Sequence, residues 1–260
     1  MSTQKMSFDV SERNMTSEYV PRLWQRMLAE FLGTGLLVTV VVGSGIAASR
    51  LSPGDIGLQL LENSTATAFG LAVLILVFAT VSGAHFNPVV SLADWFLGRR
   101  TPAGFSGRAV APYVAAQITG GIGGAVLANL MFDLPTEIAT NERVTPGTLL
   151  AEVVATAGLV LLIFALVRSG RGPLVIGPAV GAYIGAAYWF TSSTSFANPA
   201  VTIGRVFSDT FAGIAPVSVL PFLAAQLVGA AVGVALVASL FPVSRHEDAL
   251  NQEPAQVQAQ

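Results

Sequence analysis

Six long apolar stretches constrain this chain more than any other feature. Most of them are close to the ~20 residues that cross a bilayer core of ~30 Å as an α-helix. Helices suit such spans because they satisfy every backbone polar group within lipid. The sequence therefore predicts an all-α integral membrane protein with six transmembrane helices, approximately Met27–Ala48, Asn63–Ala84, Ala109–Phe132, Leu149–Val167, Leu174–Phe190 and Ile214–Val243.

Composition excludes several classes of function. Of the 260 residues, 53% are hydrophobic and only 11% are charged, whereas about a quarter are charged in an ordinary soluble domain. The formal charge of -2 provides no basic surface for nucleic acid. The chain has no Cys, which excludes disulfides and thiol catalysis. Because we also find no nucleotide-binding loop, metal-ligand cluster or catalytic triad, we expect no enzyme, no metal and no cofactor.

Two further segments are too short to span a membrane, and each begins with Asn-Pro. Asn is a favoured helix N-cap and Pro a favoured first helical residue, so both segments are predicted helix starts. About ten helical residues cover only about 15 Å, half a membrane. We therefore predict two re-entrant half-helices, beginning at Asn87-Pro88-Val89-Val90 and Asn198-Pro199-Ala200-Val201 and ending near Phe96 and Phe207.

The chain also repeats itself in order. Each half contains a span with Glu, a second span, an Asn-Pro segment and a span with Gln. The matched segments are Ala29-Glu30 with Ala151-Glu152, Asn87-Pro88 with Asn198-Pro199, and Ala115-Ala116-Gln117 with Ala224-Ala225-Gln226. Since three spans is an odd number, the second copy must be inverted, and the two half-helices meet N-terminus to N-terminus near the midplane.

The repeat sets the expected domain boundaries. We expect one membrane-embedded domain over residues 24–242, with repeat one at about 24–132 and repeat two at about 147–242. Polar tails precede and follow it at 1–23 and 243–260.

Lys and Arg are distributed unevenly between the two predicted faces. With the N-terminus inside, ten of them lie in cytoplasmic segments and only three, Arg50, Arg143 and Arg205, lie outside. This bias follows the positive-inside rule. We therefore expect a multi-pass protein of the cell membrane (plasma or inner membrane), embedded in the lipid bilayer with both termini cytoplasmic.

The two Asn-Pro segments carry a family resemblance. Ser82-Gly83-Ala84-His85-Phe86-Asn87-Pro88-Val89 and Ser195-Phe196-Ala197-Asn198-Pro199-Ala200-Val201 resemble the paired signature loops of the aquaporin / major intrinsic protein family. Tyr188-Trp189-Phe190-Thr191 and Asp209-Thr210-Phe211-Ala212-Gly213-Ile214 are similar to a bacterial, aquaglyceroporin-like branch associated with arsenic resistance. The resemblance implies an aquaporin-like fold, a homotetramer with one pore per subunit, and passive transport.

The resemblance also assigns the pore centre. Half-helix dipoles of up to ~0.5 charge each oppose cations there, while Asn amides donate to a passing oxygen, as in aquaporin-type pores generally. The residues that the resemblance places at this pore signature are Asn87, Pro88, Val89, Asn198, Pro199 and Ala200.

The family's narrowest ring departs from its usual pattern in this sequence. Members usually place Arg three residues after the second signature Asn, whereas this chain has Val201 there and its nearest Arg at Arg205. The other ring positions fall on Ala186, Ser195 and Thr67, with Phe69 as the alternative to Thr67. These residues predict a wide ring that passes neutral solutes larger than water, such as glycerol-like polyols or arsenous acid.

Other functions remain open at this point. A water-selective aquaporin fits the same signature loops, and a secondary transporter also fits an inverted repeat with broken helices. A structural membrane protein without useful flux is the third alternative.

Glu30 and Glu152 are ionisable residues within predicted spans, which are functional candidates by default. Proton-coupled transport is one hypothesis. The other is that each carboxylate accepts hydrogen bonds from the irregular backbone of a signature loop, with Gln117 and Gln226 in a similar role. The symmetry of the repeat favours this loop-bracing interpretation.

His85 and Arg205 are expected in the vestibules. His85 is either a pH gate, since its ordinary pKa lies near 6.5, or a hydrogen-bonded residue lining the inner vestibule, which we favour. Arg205 lies seven residues after its Asn, as Asp94 does in the first repeat. It is expected near the outer end of the half-helix, where it either stabilises the helix dipole or faces solute.

Overall fold

The computed structural model describes residues 20–99, 101 and 104–242. The predicted tails at 1–23 and 243–260 lie outside these residues, apart from 20–23. In the described part of the chain every regular element is helical. The helices are α1 Leu23–Leu51, α2 Ile56–Ser82, α3 Pro88–Gly98, α4 Gly107–Met131, α5 Pro146–Arg168, α6 Pro173–Phe190, α7 Pro199–Gly204, which continues as a 3-10 turn over Arg205–Phe207, and α8 Pro216–Leu240.

Six of these helices are long and apolar enough to cross a membrane, namely α1, α2, α4, α5, α6 and α8. The predicted six-span fold is therefore confirmed. The second span begins at Ile56 rather than Asn63, because Asp55 caps it by accepting a bond from the Leu58 N–H. Asn63 then lies buried within the helix, where its amide donates to the Val41 carbonyl at 2.9 Å.

The two remaining helices, α3 and α7, are the predicted half-helices. They occupy the same place in each half of the chain, since α1 to α4 and α5 to α8 follow one order. Within each half the first and last helices pack together, α1 on α4 and α5 on α8, while α2 packs on α6 across the halves. This arrangement brings α3 and α7 into contact inside the bundle.

Large apolar side chains cover the outside of the bundle. Leu174, Leu220 and Phe69, for example, are each more than 70% exposed. A contiguous apolar exterior of this kind is suited to contact with lipid.

Small residues let the paired helices approach until their backbones touch, as is common in membrane helix pairs. A Cβ on Gly124 of α4 would overlap the carbonyl oxygen of Gly35 in α1. In the second half, a Cβ on Gly233 of α8 would lie 2.7 Å from the carbonyl oxygen of Ala157 in α5. The same close contact therefore supports both repeats.

This contact yields a matched pair of variants. We expect Gly124→Ala to lower the free energy of unfolding by about 1–3 kcal/mol, because the new methyl group must separate two helices. A Cβ on the adjacent Gly123 would meet nothing within 4 Å. Gly123→Ala should therefore leave stability unchanged or raise it by up to ~1 kcal/mol. Denaturant unfolding of the purified protein in detergent measures both values, and equal effects would contradict the packing account.

Candidate functional site

The starts of the two half-helices are joined by a reciprocal pair of hydrogen bonds. The side-chain amide of Asn87 donates to the Ala197 carbonyl at 2.8 Å, and that of Asn198 donates to the Phe86 carbonyl at 2.8 Å. Each acceptor is the residue directly before the other Asn. In the described part of the chain, the second N–H of each amide has no protein acceptor.

The same two side chains cap their own half-helices. The Asn87 oxygen accepts from the Val89 N–H at 3.1 Å. The Asn198 oxygen accepts from the Ala200 and Val201 N–H groups at 2.9 and 3.2 Å. Capping and cross-linking together leave each amide with one orientation, so its remaining N–H has a defined direction.

The backbone before each Asn is irregular in the same way in both repeats. Ala84 and Phe86 have φ values of 51° and 49°, and Ser195 and Ala197 have φ values of 51° and 46°. Left-handed backbone at a residue other than Gly costs on the order of 1–3 kcal/mol and persists only where the surroundings enforce it.

In the first repeat, those surroundings are the buried carboxylate of Glu30 in α1. It accepts from the backbone N–H groups of His85 and Phe86 at 3.0 and 2.7 Å. It also accepts from the Ser82 hydroxyl at 2.6 Å and from the Gln117 amide of α4 at 2.7 Å. Four donors match the lone-pair capacity of an ionised carboxylate.

Glu152 in α5 repeats this pattern in the second half. Its buried carboxylate accepts from the backbone N–H groups of Phe196 and Ala197, each at 2.8 Å. The Ser193 hydroxyl donates at 2.6 Å and the Gln226 amide of α8 at 2.7 Å. Each carboxylate thus connects one loop to two spanning helices.

The sequence predicted no loop-bracing role for Ser82 or Ser193. Each hydroxyl donates to its Glu and also accepts a backbone N–H, from Ala84 at 3.1 Å and from Ser195 at 3.2 Å. The signal that could have found them is position, because each Ser lies five residues before its Asn.

One cavity of about 260 Å³ runs past both Asn side chains. Its wall includes His85 and Asp94 from the first repeat and Tyr188 and Arg205 from the second. Most of the remaining wall consists of Leu, Val and Ile. An apolar wall with a few placed polar groups is typical of sites for small molecules.

Comparison with known proteins is consistent with this geometry. Residues 17–192 match the family described as Major intrinsic protein. The chain is 47% identical over 224 residues to the aquaglyceroporin AqpS of Rhizobium meliloti (strain 1021), covering 86% of this chain and 93% of that protein. This chain belongs to the major intrinsic protein family. Members of the family are passive channels and not enzymes, so the expected absence of enzymatic activity is confirmed by this membership.

Two other relatives place the chain within the family. The propanediol uptake facilitator PduF of Citrobacter freundii is 32% identical over 250 residues, which covers 80% of this chain and 89% of that protein. The glycerol uptake facilitator protein of Escherichia coli (strain K12) is 34% identical over 214 residues, with coverages of 70% and 72%. The X-ray structure of the aquaglyceroporin from Plasmodium falciparum shares the fold, with a TM-score of 0.65, 21% identity and coverages of 85% and 98%.

Three residues proposed for the constriction of this family member line the cavity, namely Thr67, Ser195 and Val201. Phe69, the alternative to Thr67, is 72% exposed on the outer surface. The structure therefore places Thr67, and not Phe69, on the cavity wall.

The expected position of Ala186 is wrong. Ala186 is exposed on the outside of α6 and does not line the cavity. The cavity side of α6 carries Val180, Ile184 and Tyr188 at a four-residue spacing, and Ala186 lies about 200° around the helix from its neighbours in that row.

Tyr188 changes the character of the expected ring. Its hydroxyl lies 3.2 Å from the Thr67 hydroxyl, within hydrogen-bond distance. This part of the cavity wall therefore does not consist of small side chains alone.

His85 and Arg205 both lie on the cavity wall. The two ring nitrogens of His85 contact the Ser91 hydroxyl at 3.0 Å and the Asp94 carboxylate at 3.2 Å. The Arg205 guanidinium lies over the Phe196 ring, with Cζ at 3.5 Å from its centroid.

The loop contacts predict large stability effects. Glu30→Gln replaces one acceptor oxygen with a donor, which leaves the backbone N–H of either His85 or Phe86 without an acceptor. Each buried unsatisfied donor costs about 1–3 kcal/mol. Glu62 is a matched control, because its Oε1 accepts from the Ser52 hydroxyl while its Oε2 has no partner among the described residues. We expect the thermal midpoint to fall clearly in Glu30→Gln and little in Glu62→Gln, and the reverse order would refute the assignment.

Proposed function

We propose that this protein is a passive channel for small uncharged solutes. The solutes are water, glycerol-like polyols and neutral metalloid hydroxides such as arsenous acid. The observation that carries the proposal is the pair of half-helix N-termini joined through Asn87 and Asn198 on the wall of one cavity. The relatives named as aquaglyceroporin, glycerol facilitator and propanediol facilitator support the choice of polyols.

The junction selects for neutral solutes in two ways. The uncommitted amide N–H groups of Asn87 and Asn198 donate to a solute oxygen and replace part of its hydration. The N-termini of α3 and α7 contribute a positive potential of up to ~0.5 charge each, which opposes cations. Pro88 and Pro199 start the two helices, while Val89 and Ala200 are fully buried behind the junction.

The carboxylates of Glu30 and Glu152 act as braces and not as proton carriers in this proposal. Each carboxylate accepts hydrogen bonds from four donors, so protonation of either carboxylate would leave one donor without an acceptor. The bonds from Gln117 and Gln226 fix each brace to a second helix.

The channel lies in the cell membrane with both termini cytoplasmic. The excess of Lys and Arg in the segments on that side supports this orientation. We also propose a homotetramer with one pore in each subunit, as the family resemblance implies, with part of the apolar exterior covered by neighbouring subunits.

A comparison of wild type with Val201→Arg in proteoliposomes tests the proposal. Stopped-flow light scattering measures the permeability to water, glycerol and arsenous acid. We expect wild type to pass all three, and we expect Val201→Arg to retain water while losing the larger solutes, because a guanidinium at this wall position narrows the cavity.

Wild-type protein that passes water alone would contradict the polyol assignment and favour a water-selective channel. Val201→Leu is the matched control, because it adds volume at the same position without charge. A smaller loss of glycerol permeability in Val201→Leu would assign the effect of Arg to its size and charge together.

A further inference from the structure

Arg205 combines deep burial with access to the channel. It is only 3% exposed overall, yet it lines the cavity together with Val201, one helical turn earlier. It begins the 3-10 turn that continues α7, at the end of the half-helix away from Asn198. Its backbone position is therefore set by the same element that positions the pore centre.

The contact between Arg205 and Phe196 is built into the repeat. Phe196 lies two residues before its Asn and Arg205 seven residues after. In the first repeat the residues at these two positions are His85 and Asp94, which are also in contact, at 3.2 Å. Since Asp94 and Arg205 both line the cavity, the seventh position faces the channel in both halves.

The guanidinium of Arg205 is held on one side only. Its Nε donates to the Ala212 carbonyl, and its Cζ lies over the Phe196 ring. That ring is fixed in turn, because the Phe196 N–H donates to Glu152 and the ring packs edge-on against Phe222. Among the residues that the structure describes, neither Nη group of Arg205 has a hydrogen-bond partner, and no carboxylate forms an ion pair with it.

Three residues that carry hydroxyl groups, Thr67, Tyr188 and Ser195, line the same cavity. The Thr67 and Tyr188 hydroxyls lie 3.2 Å apart. The Ser195 hydroxyl is buried and has no partner among the described residues. Together with the free donors of Arg205, they form a polar set, which we call the hydroxyl–guanidinium ring (Thr67, Tyr188, Ser195 and Arg205).

We propose that Arg205 is the selectivity cation of this channel and that the hydroxyl–guanidinium ring binds neutral solutes with several hydroxyl groups. Arg205 supplies this charge from the seventh position after Asn198, because Val201 at the third position carries none. Its unpaired positive charge excludes cations from a low-dielectric passage. Its Nη donors and the three hydroxyls replace the hydration of a polyol. This proposal rests on the proposed channel function.

The test measures K⁺ flux and glycerol permeability in proteoliposomes for Arg205→Gln, Arg205→Met and Arg205→Lys. We expect K⁺ flux to rise at least about tenfold in the Gln and Met variants, the lower end of what a fixed charge does to local ion concentration. Arg205→Lys should remain closed to K⁺. K⁺ exclusion that is unchanged in a folded Gln or Met variant would overturn the role of Arg205.

Arg143 is a matched control, because its guanidinium also lies over Phe196, at 5.3 Å, but does not line the cavity. Its side chain donates to the Gly213 and Phe211 carbonyls instead. Arg143→Gln should lower thermal stability without a K⁺ leak. A leak of equal size in this variant would assign the effect to loop structure and overturn the proposal.

Ser195→Ala tests the ring without endangering the fold, because it removes a hydroxyl that has no partner in the described structure. Loss of one hydrogen bond to solute should lower the ratio of glycerol to water permeability about threefold to tenfold. An unchanged ratio would overturn the ring as a binding site. Wild-type protein that passes neither water nor glycerol would instead refute the channel function proposed above, and wild-type protein that passes water alone would contradict its polyol assignment.

Discussion

Two buried carboxylates determine whether the centre of this protein can exist. The loops before α3 and α7 have left-handed backbone at Ala84, Phe86, Ser195 and Ala197, and these residues lie outside the regular helices. Lipid satisfies none of their backbone polar groups. Glu30 and Glu152 accept four hydrogen bonds each and so stabilise backbone that otherwise belongs in water.

The junction between the two half-helices depends in turn on these loops being held in place. With the loops held, the carbonyls of Phe86 and Ala197 lie within 2.8 Å of the opposite Asn amide. The two half-helices then support each other, although neither is long enough to be stable alone. Inversion of the repeat places both N-termini at one point, so the same two Asn side chains cap the half-helices and join them.

Much of this architecture could be predicted from sequence, because spans, caps and repeat positions depend on local pattern. Six apolar stretches, two Asn-Pro starts and the matched Glu positions led to the family fold. The prediction for Ala186 is wrong because the side of α6 that faces the cavity depends on the rotation of that helix, which local pattern does not determine. The position of Tyr188 on the cavity wall likewise follows from the rotation of α6 about its axis, which only the structure shows.

In the proposed function, solutes diffuse through a continuous passage and are not carried by alternating access. Glycerol uptake into proteoliposomes, measured against glycerol concentration with and without a pH gradient, tests it most directly. For a passive channel, we expect glycerol uptake to rise in proportion to the glycerol concentration and to be the same with and without the pH gradient. Saturable uptake that follows the pH gradient would contradict the account and make Glu30 and Glu152 carriers of protons.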